Sequence, residues 1–292
     1  MLLKELYAIL ITPIEKRLDP GREIFIVPDR PFNNFPFGAL IDPETGKYLI
    51  EKYIISFAPS STVFIRCSHL AKQKEEFSAE RCLSIGQSVF KQSGLLNSAL
   101  PSTRVEAEEV AARYGYRSKL LLDSAATEDF VRREIGNFEV IHIATHGLVN
   151  TEKPEYSSLA LWEKSDTSTP DNDGALQAGE ISRMKLPRAK LVVLSACRTL
   201  IGRDYRGEGM VGLARAFIAS GAPVVISSLW NVDSRMTAKM MNDFHRFRTQ
   251  SKMSAASAIR EAQLEMLRQD SLNYRRPYSW AGFVVVGGYA QF

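Results

Sequence analysis

Cysteine is scarce: Cys67, Cys82 and Cys197 are the three in 292 residues. Their number is odd, their spacing is wide, and no CxxC pair occurs. A disulfide framework needs paired cysteines and a structural zinc site needs clustered ligands, so neither is expected. This usage fits a reducing, cytoplasmic setting. Long apolar runs are missing too, since no window approaches the roughly 18 consecutive apolar residues of a membrane-spanning helix. The opening "MLLKELYAIL" is interrupted by Lys4 and Glu5 and is followed by no small-residue cleavage pattern, which predicts a helix rather than a signal peptide. A dominant charge is also lacking. Lys and Arg total 37 against 33 Asp and Glu, and the net +4 is spread along the chain, so no basic stripe points to nucleic acid. No internal repeat or low-complexity segment is legible.

What is present is alternation. "EIFIVPD" (23–29), one or two segments within 48–60, "RCLSIGQ" (81–87), "KLLLD" (119–123), "FEVIHIATHG" (138–147), "SSLALW" (157–162), "KLVVLSAC" (190–197), "PVVISSLW" (223–230) and "WAGFVVVGG" (280–288) read as strands. Between them lie helical patterns. At 103–114, Thr103 and Glu106 match a capping box, and Ala107, Val110, Ala111 and Tyr114 share a face. Thr127 caps a short helix, and amphipathic helices are expected at 209–220, 236–248 and 254–268. Near-continuous Val/Ile/Leu strands separated by helices predict an α/β fold, with a mainly parallel central sheet covered by helices on both faces. The polar stretch 163–175, with Pro170 and Gly174, predicts a mobile loop, and "AKQKEE" (71–76) a solvated face or linker.

Two strands end in reactive residues, and sites in open α/β sheets lie beyond the carboxyl ends of strands. One strand ends at His146–Gly147, the other at Cys197–Arg198. A thiol hydrolase needs a thiolate to attack, an imidazole to take and return the proton, and backbone N–H groups to hold the oxyanion. His146 and Cys197 supply the first two. Gly147 lets a substrate approach closely and offers an N–H, and the Cys197 N–H would be the second donor. The bland reading is that a cysteine after an apolar strand packs as a small hydrophobe. His142 and His146, four apart, would suggest a metal pair on a helix; on a strand they share a face, and with no third ligand in view metal is not expected. His142 reads as a core histidine, His69 and His245 as solvated, and Cys67 and Cys82 as structural. Arg198 either stabilises the thiolate or anchors its loop.

Taken together, "VIHIATHG" (140–147), "LVVLSACRT" (191–199), "GEGMVGLARAFIASGAPVVISSLWNVD" (207–233), the closing "WAGFVVVGG" and the early segment 24–60 resemble the CHAT family. These are caspase-like peptidases found beside tetratricopeptide repeats and related to caspases and separases. The resemblance spans nearly the whole chain. It implies a caspase-like three-layer sandwich forming a single peptidase domain over 1–292, with an N-terminal part (1–137) and a catalytic part (138–292). It implies a cysteine endopeptidase with base His146 and nucleophile Cys197 that needs no cofactor. Its partners would be a protein substrate and a repeat-containing or sensor/activator protein, with no direct nucleic-acid or membrane contact. "NVDSR" after "PVVISSLW" looks like the separase segment in which an acidic residue receives an arginine. Asp233 is therefore a candidate pocket floor, with Trp230 lining the cleft and cleavage after a basic residue. The competing role for Asp233 is to cap the helix that follows. Asp173 and Asp204 are further candidates by topology. The alternatives for the whole are a catalytically idle caspase-like interaction module and a different cysteine acyl-transferring enzyme on the same sheet.

Overall fold

The Val/Ile/Leu runs of the sequence fold as the middle of a ten-stranded sheet. The structure, a computed structural model, describes residues 2–29, 32–77, 79–90, 99–150, 152–163, 172–198 and 209–292; of residues 197, 198 and 209–211 the backbone alone is described. The strands are β1 (Glu23–Ile26), β2 (Ile54–Phe57), β3 (Cys82–Gly86), β4 (Ser118–Leu122), β5 (Val140–Leu148), β6 (Ser158–Ala160), β7 (Ala175–Gln177), β8 (Leu191–Arg198), β9 (Val224–Ser228) and β10 (Phe283–Gly287). Their order is β1-β2-β10-β9-β8-β5-β3-β4, and neighbours on this path are parallel except β9 and β10. β6 and β7 extend the carboxyl end of β5 as an antiparallel hairpin.

The chain order reverses beside β3. β4 lies on one side of it, while β5, β8 and β9 follow outward on the other. A reversal of this kind opens a crevice at the carboxyl ends of the two central strands, where such sheets bind and react. Here those ends are Gly86 and Leu148.

The longer helices are α1 (Leu2–Leu10), α2 (Ser61–Lys74), α3 (Pro101–Tyr114), α4 (Glu128–Glu134), α5 (Gly209–Ala219), α6 (Ser234–Ser251) and α7 (Ala255–Leu267). Side chains of β5 and β8 alternate between two cores. Val140, Leu191 and Val193 pack with Val110, Met240, Phe244 and Ile259 under α3, α6 and α7. Ile141, Ile143, Val192 and Leu194 pack with Val131, Leu213 and Phe217 under α4 and α5. The result is three layers, as the fold expectation requires. On the α3 side the fit is close: a Cβ at Gly86 would lie 2.8 Å from both the Ala107 Cβ and the Thr103 carbonyl oxygen.

Several expectations need correction. α3 begins at Pro101, whose fixed φ and missing N–H suit a first helical position, so Thr103 and Glu106 form no capping box. The Thr103 hydroxyl donates instead to the carbonyls of Gln87 (2.8 Å) and Leu100 (2.7 Å), and Glu106 is buried against the sheet. Of the two possibilities for 48–60, one strand is the outcome, since Leu49–Lys52 is a helical turn. Residues 71–74 close α2 rather than forming a linker, and Lys74 is buried. Its ammonium donates to the carbonyls of Leu186, Ala189 and Gly221 at 2.8, 2.7 and 2.7 Å, and burial pushes its pKa down to about 8. Within the expected loop, 164–171 lie outside the described residues, but 172–175 are tied down. Asn172 accepts from the Asp129 N–H (3.2 Å), Gly174 donates to Glu128 (3.1 Å), and Ala175 opens β7. Among the described residues no helix is long and apolar enough to cross a membrane.

Candidate active site

His146 and Cys197 are register partners on the adjacent parallel strands β5 and β8, and Gly147 pairs with Arg198 in the same way. Neighbouring strands lie about 4.8 Å apart. Strand alternation sets positions 142, 144 and 146 of β5, and 193, 195 and 197 of β8, on the face under α3 and α6. The two residues singled out for nucleophile and base therefore stand side by side at one sheet end.

His146 is buried, and its imidazole packs on the ring of Phe90 with centroids 4.5 Å apart and planes at 47°. Phe90 arrives from the segment after β3, across the reversal. That segment is braced from β4. Asp123, at φ 46°, accepts from the Ser88 N–H (2.8 Å), the Ser88 hydroxyl (2.8 Å) and the Val89 N–H (3.2 Å), and pairs with Arg104 at 2.9 Å. Burial opposes the Asp123 charge, but the bonds from Arg104 and Ser88 outweigh it and hold the carboxyl below its ordinary pKa. The Gln87 N–H donates to the Ala144 carbonyl at 2.9 Å, and the Thr145 hydroxyl donates to the Ala160 carbonyl, fixing the hairpin. Gly147 is a register partner of Leu159 as well as of Arg198, so it lies within the sheet, between β6 and β8.

The last residue of β9 and those after it reach the same end. The Ser228 hydroxyl donates to the Ala196 carbonyl at 3.3 Å. The Trp230 indole N–H donates to the Tyr278 carbonyl (2.9 Å), and the two rings stack at 6.3 Å and 17°. Asp233 is the N-cap of α6: its Oδ1 accepts from the backbone N–H of Arg235 (3.0 Å) and Met236 (3.3 Å). Gln87 Oε1, Ser195 Oγ and Asn231 Oδ1, which the sequence did not single out, are buried here with no hydrogen-bond partner among the described residues. They come from three separate carboxyl-end segments.

Sequence comparison decides the family. A model of the CHAT domain matches residues 1–288. The chain belongs to the CHAT domain family. It is 26% identical to human tetratricopeptide repeat protein 28 over a 327-residue alignment that takes in 98% of this chain and 13% of that protein; the mouse counterpart matches to the same degree. The chain thus spans 13% of the length of the curated relatives it matches. Among solved structures it resembles a chain of the Saccharomyces cerevisiae separase–securin complex, with a TM-score of 0.57 and 15% identity over 93% of this chain and 16% of that one. It also resembles the Arg-specific cysteine proteinase gingipain R of Porphyromonas gingivalis, with a TM-score of 0.59 and 11% identity over 98% of this chain and 66% of that one. At these identities the likeness is one of fold, and that fold is caspase-like.

Beneath His146 the CHAT domain carries a buried polar chain. The Tyr114 hydroxyl is hydrogen-bonded to His245 Nδ1 (3.0 Å), His245 Nε2 to His142 Nδ1 (3.2 Å), and His142 Nε2 to Glu106 Oε1 (3.0 Å). Burial, then the charges of His142 and Arg248, push the His245 pKa well below its ordinary value. His245 is therefore neutral, with one ring nitrogen donating and the other accepting. His142 is a satisfied core histidine, as expected. His245 is not solvated, because Tyr114 and His142 reach it inside the fold. Cys67 and Cys82 are buried, and burial raises both thiols, Cys67 to about 11, which keeps them unreactive. Phe90 and Asp123 escaped sequence reasoning, and Glu106 was read only as half of a capping box. The one available signal was their position in segments flanking β3 and β4, beside the reversal.

Proposed function

We propose that this CHAT domain is a cysteine endopeptidase with Cys197 as nucleophile and His146 as general base. The observation that carries the reading is the register pairing of these two residues at the carboxyl end of the sheet, beside the strand-order reversal. His146 takes the thiol proton, and the sulfur attacks the peptide carbonyl. The tetrahedral oxyanion is held by backbone N–H groups, with Gly147 and Cys197 as the proposed donors. Collapse expels the amine, which leaves with the proton, and water then hydrolyses the thioester. His146 lies under Phe90, so substrate entry requires that cover to move. Control by a repeat-containing or sensor protein suits such a covered base, and the tetratricopeptide repeats named in the curated relatives supply a partner type. Asp233 uses Oδ1 for its cap, which leaves Oδ2 for a basic substrate side chain, with Trp230 beside it. The Arg specificity named for gingipain R is of the same kind.

A second reading has its own support. Full burial of His146, and the pairing of Gly147 on both sides, suit a domain that docks a partner without catalysis. Labelling with an electrophilic thiol probe, together with cleavage of a peptide library, separates the two. The wild type should label and cleave, while Cys197→Ala and His146→Ala should each lose cleavage by orders of magnitude, because members of one nucleophile–base unit do not act additively. Cleavage by Cys197→Ala at the wild-type rate would exclude the assignment. An unlabelled, uncleaving wild type that still binds a partner would favour the idle module.

A further inference from the structure

The amino ends of the same strands carry a second feature, far from the dyad. A cavity of about 340 Å³ opens there, between Glu80 before β3, Arg117 before β4, Lys190 before β8 and the last turn of α6. Among the residues that line it, five side chains are cationic, Arg113, Arg117, Lys190, Arg248 and Lys252, and one, Glu80, is acidic. Arg248 is buried, 6% exposed, and lines the cavity. Its Nη2 donates to Glu80 at 3.0 Å, but its Nε and Nη1 are buried with no hydrogen-bond partner among the described residues. Lys190, also buried, donates to the Phe77 carbonyl at 2.8 Å and stands 3.8 Å from the same Glu80. Burial lowers the Lys190 pKa, so its charge is held at a cost. Arg113 spends Nε and Nη2 on the Asn242 carbonyl (3.0 and 2.9 Å), which leaves Arg117 and Lys252 exposed at the rim.

A buried guanidinium with unspent N–H groups is costly until an acceptor completes it. Glu80 and the Tyr114 hydroxyl engage Arg248, and neither reaches its Nε or Nη1. We propose that the cavity binds a small soluble polyphosphate, a compact molecule with two or more phosphate groups, seated on Arg248 and Lys190 and held at the rim by Arg117 and Lys252. Guanidinium forks match phosphate oxygens two at a time. The volume sits at the low end of the roughly 300–1,000 Å³ range of small-molecule sites, so a compact ligand fits and a folded partner does not.

Titration calorimetry with inorganic tripolyphosphate, at ionic strength fixed with sodium chloride, tests the site. Saturable one-to-one binding with a rise in Tm is expected. Arg117→Gln and Lys252→Gln, both at exposed positions, should each weaken binding several-fold, and Arg248→Gln by about tenfold or more, the loss of a charge-assisted hydrogen bond. If Arg248→Gln does not fold, the two rim variants carry the test. Cys197→Ala should bind as the wild type does, which keeps this result independent of the proposed peptidase activity. No saturable binding, binding indifferent to both rim substitutions, or equal affinity for an oligoglutamate peptide would overturn the proposal.

Discussion

Replacing Asp233 with alanine removes a carboxylate that accepts from two backbone N–H groups at the start of α6, at 3.0 and 3.3 Å. A cap of this kind is worth about 0.5–2 kcal/mol over alanine. The Asp233 side chain is 45% exposed and its second bond is long, which sets the loss near about 1 kcal/mol. Unfolding entropy runs to about 2.1 cal/mol/K per residue, so for a chain of this length Tm should fall by a little under about 2 °C. Asparagine caps about as well as aspartate but carries no charge. Asp233→Asn should therefore keep the wild-type Tm, and this separates the cap from the pocket. If the carboxylate also receives a basic substrate side chain, both variants should lose cleavage of arginine peptides relative to matched leucine peptides, although only the alanine variant loses stability. Differential scanning calorimetry and paired peptide assays read the two effects. A wild-type Tm for Asp233→Ala would refute the cap energetics. An undiminished arginine preference in Asp233→Asn would refute the pocket.

Other perturbations test other parts of the fold. Gly86→Ala places a methyl 2.8 Å from the Ala107 Cβ and the Thr103 carbonyl oxygen, so α3 must shift; a loss of about 1–3 kcal/mol is expected in urea unfolding, and an unchanged midpoint would contradict the close packing. Glu128 is fully buried beside Glu180, and burial, then that carboxylate, push its pKa up to about 7. Above pH 7 it is ionised in folded and unfolded chains alike; as pH falls toward about 4.5 the folded chain takes up the proton first, so this group adds stability on acidification, at most about 3 kcal/mol. Glu128→Gln should remove that component between pH 7 and 4.5, and parallel stability profiles for variant and wild type would count against it. Phe90→Ala uncovers His146 and should speed labelling by a thiol probe several-fold, whereas an unchanged rate would show that Phe90 does not gate the site.

Strands were legible where both faces are buried, because the apolar run is then continuous, as in "LVVLS" of β8 and "VVISS" of β9. β7 was not, since Ala175–Gln177 is three residues at the end of a polar stretch. The direction of β10 was not legible either. "FVVVG" reads alike whether it pairs parallel or antiparallel, and it runs against β9 with α6 and α7 between the strands. α2 was missed for another reason. Its buried positions, Cys67, Ala71 and Lys74, have helical spacing, but they are small or charged and show no apolar stripe. Lys74 becomes a core residue only because three carbonyls distant in sequence converge on it.

The candidate pair His146 and Cys197 was readable because each is a reactive residue at a strand end and each lies in a family motif. Their surroundings were not, because satisfaction of a buried polar group depends on partners that sequence does not count. His245 lies four after Met241 and three before Arg248, on a stripe that looks half polar. That stripe is buried because Tyr114, 131 residues away, and His142, 103 away, complete its hydrogen bonds. Those bonds fix how α6 lies across β5. With 18 residues, α6 is about 27 Å long, enough to run from one end of the sheet to the other. Its N-cap, Asp233, emerges beside the carboxyl ends that carry the proposed dyad, while Arg248 and Lys252 emerge at the cationic cavity on the opposite end. The buried histidine pair therefore sets the placement of both sites through one rigid helix, and a substitution at His245 should disturb them together.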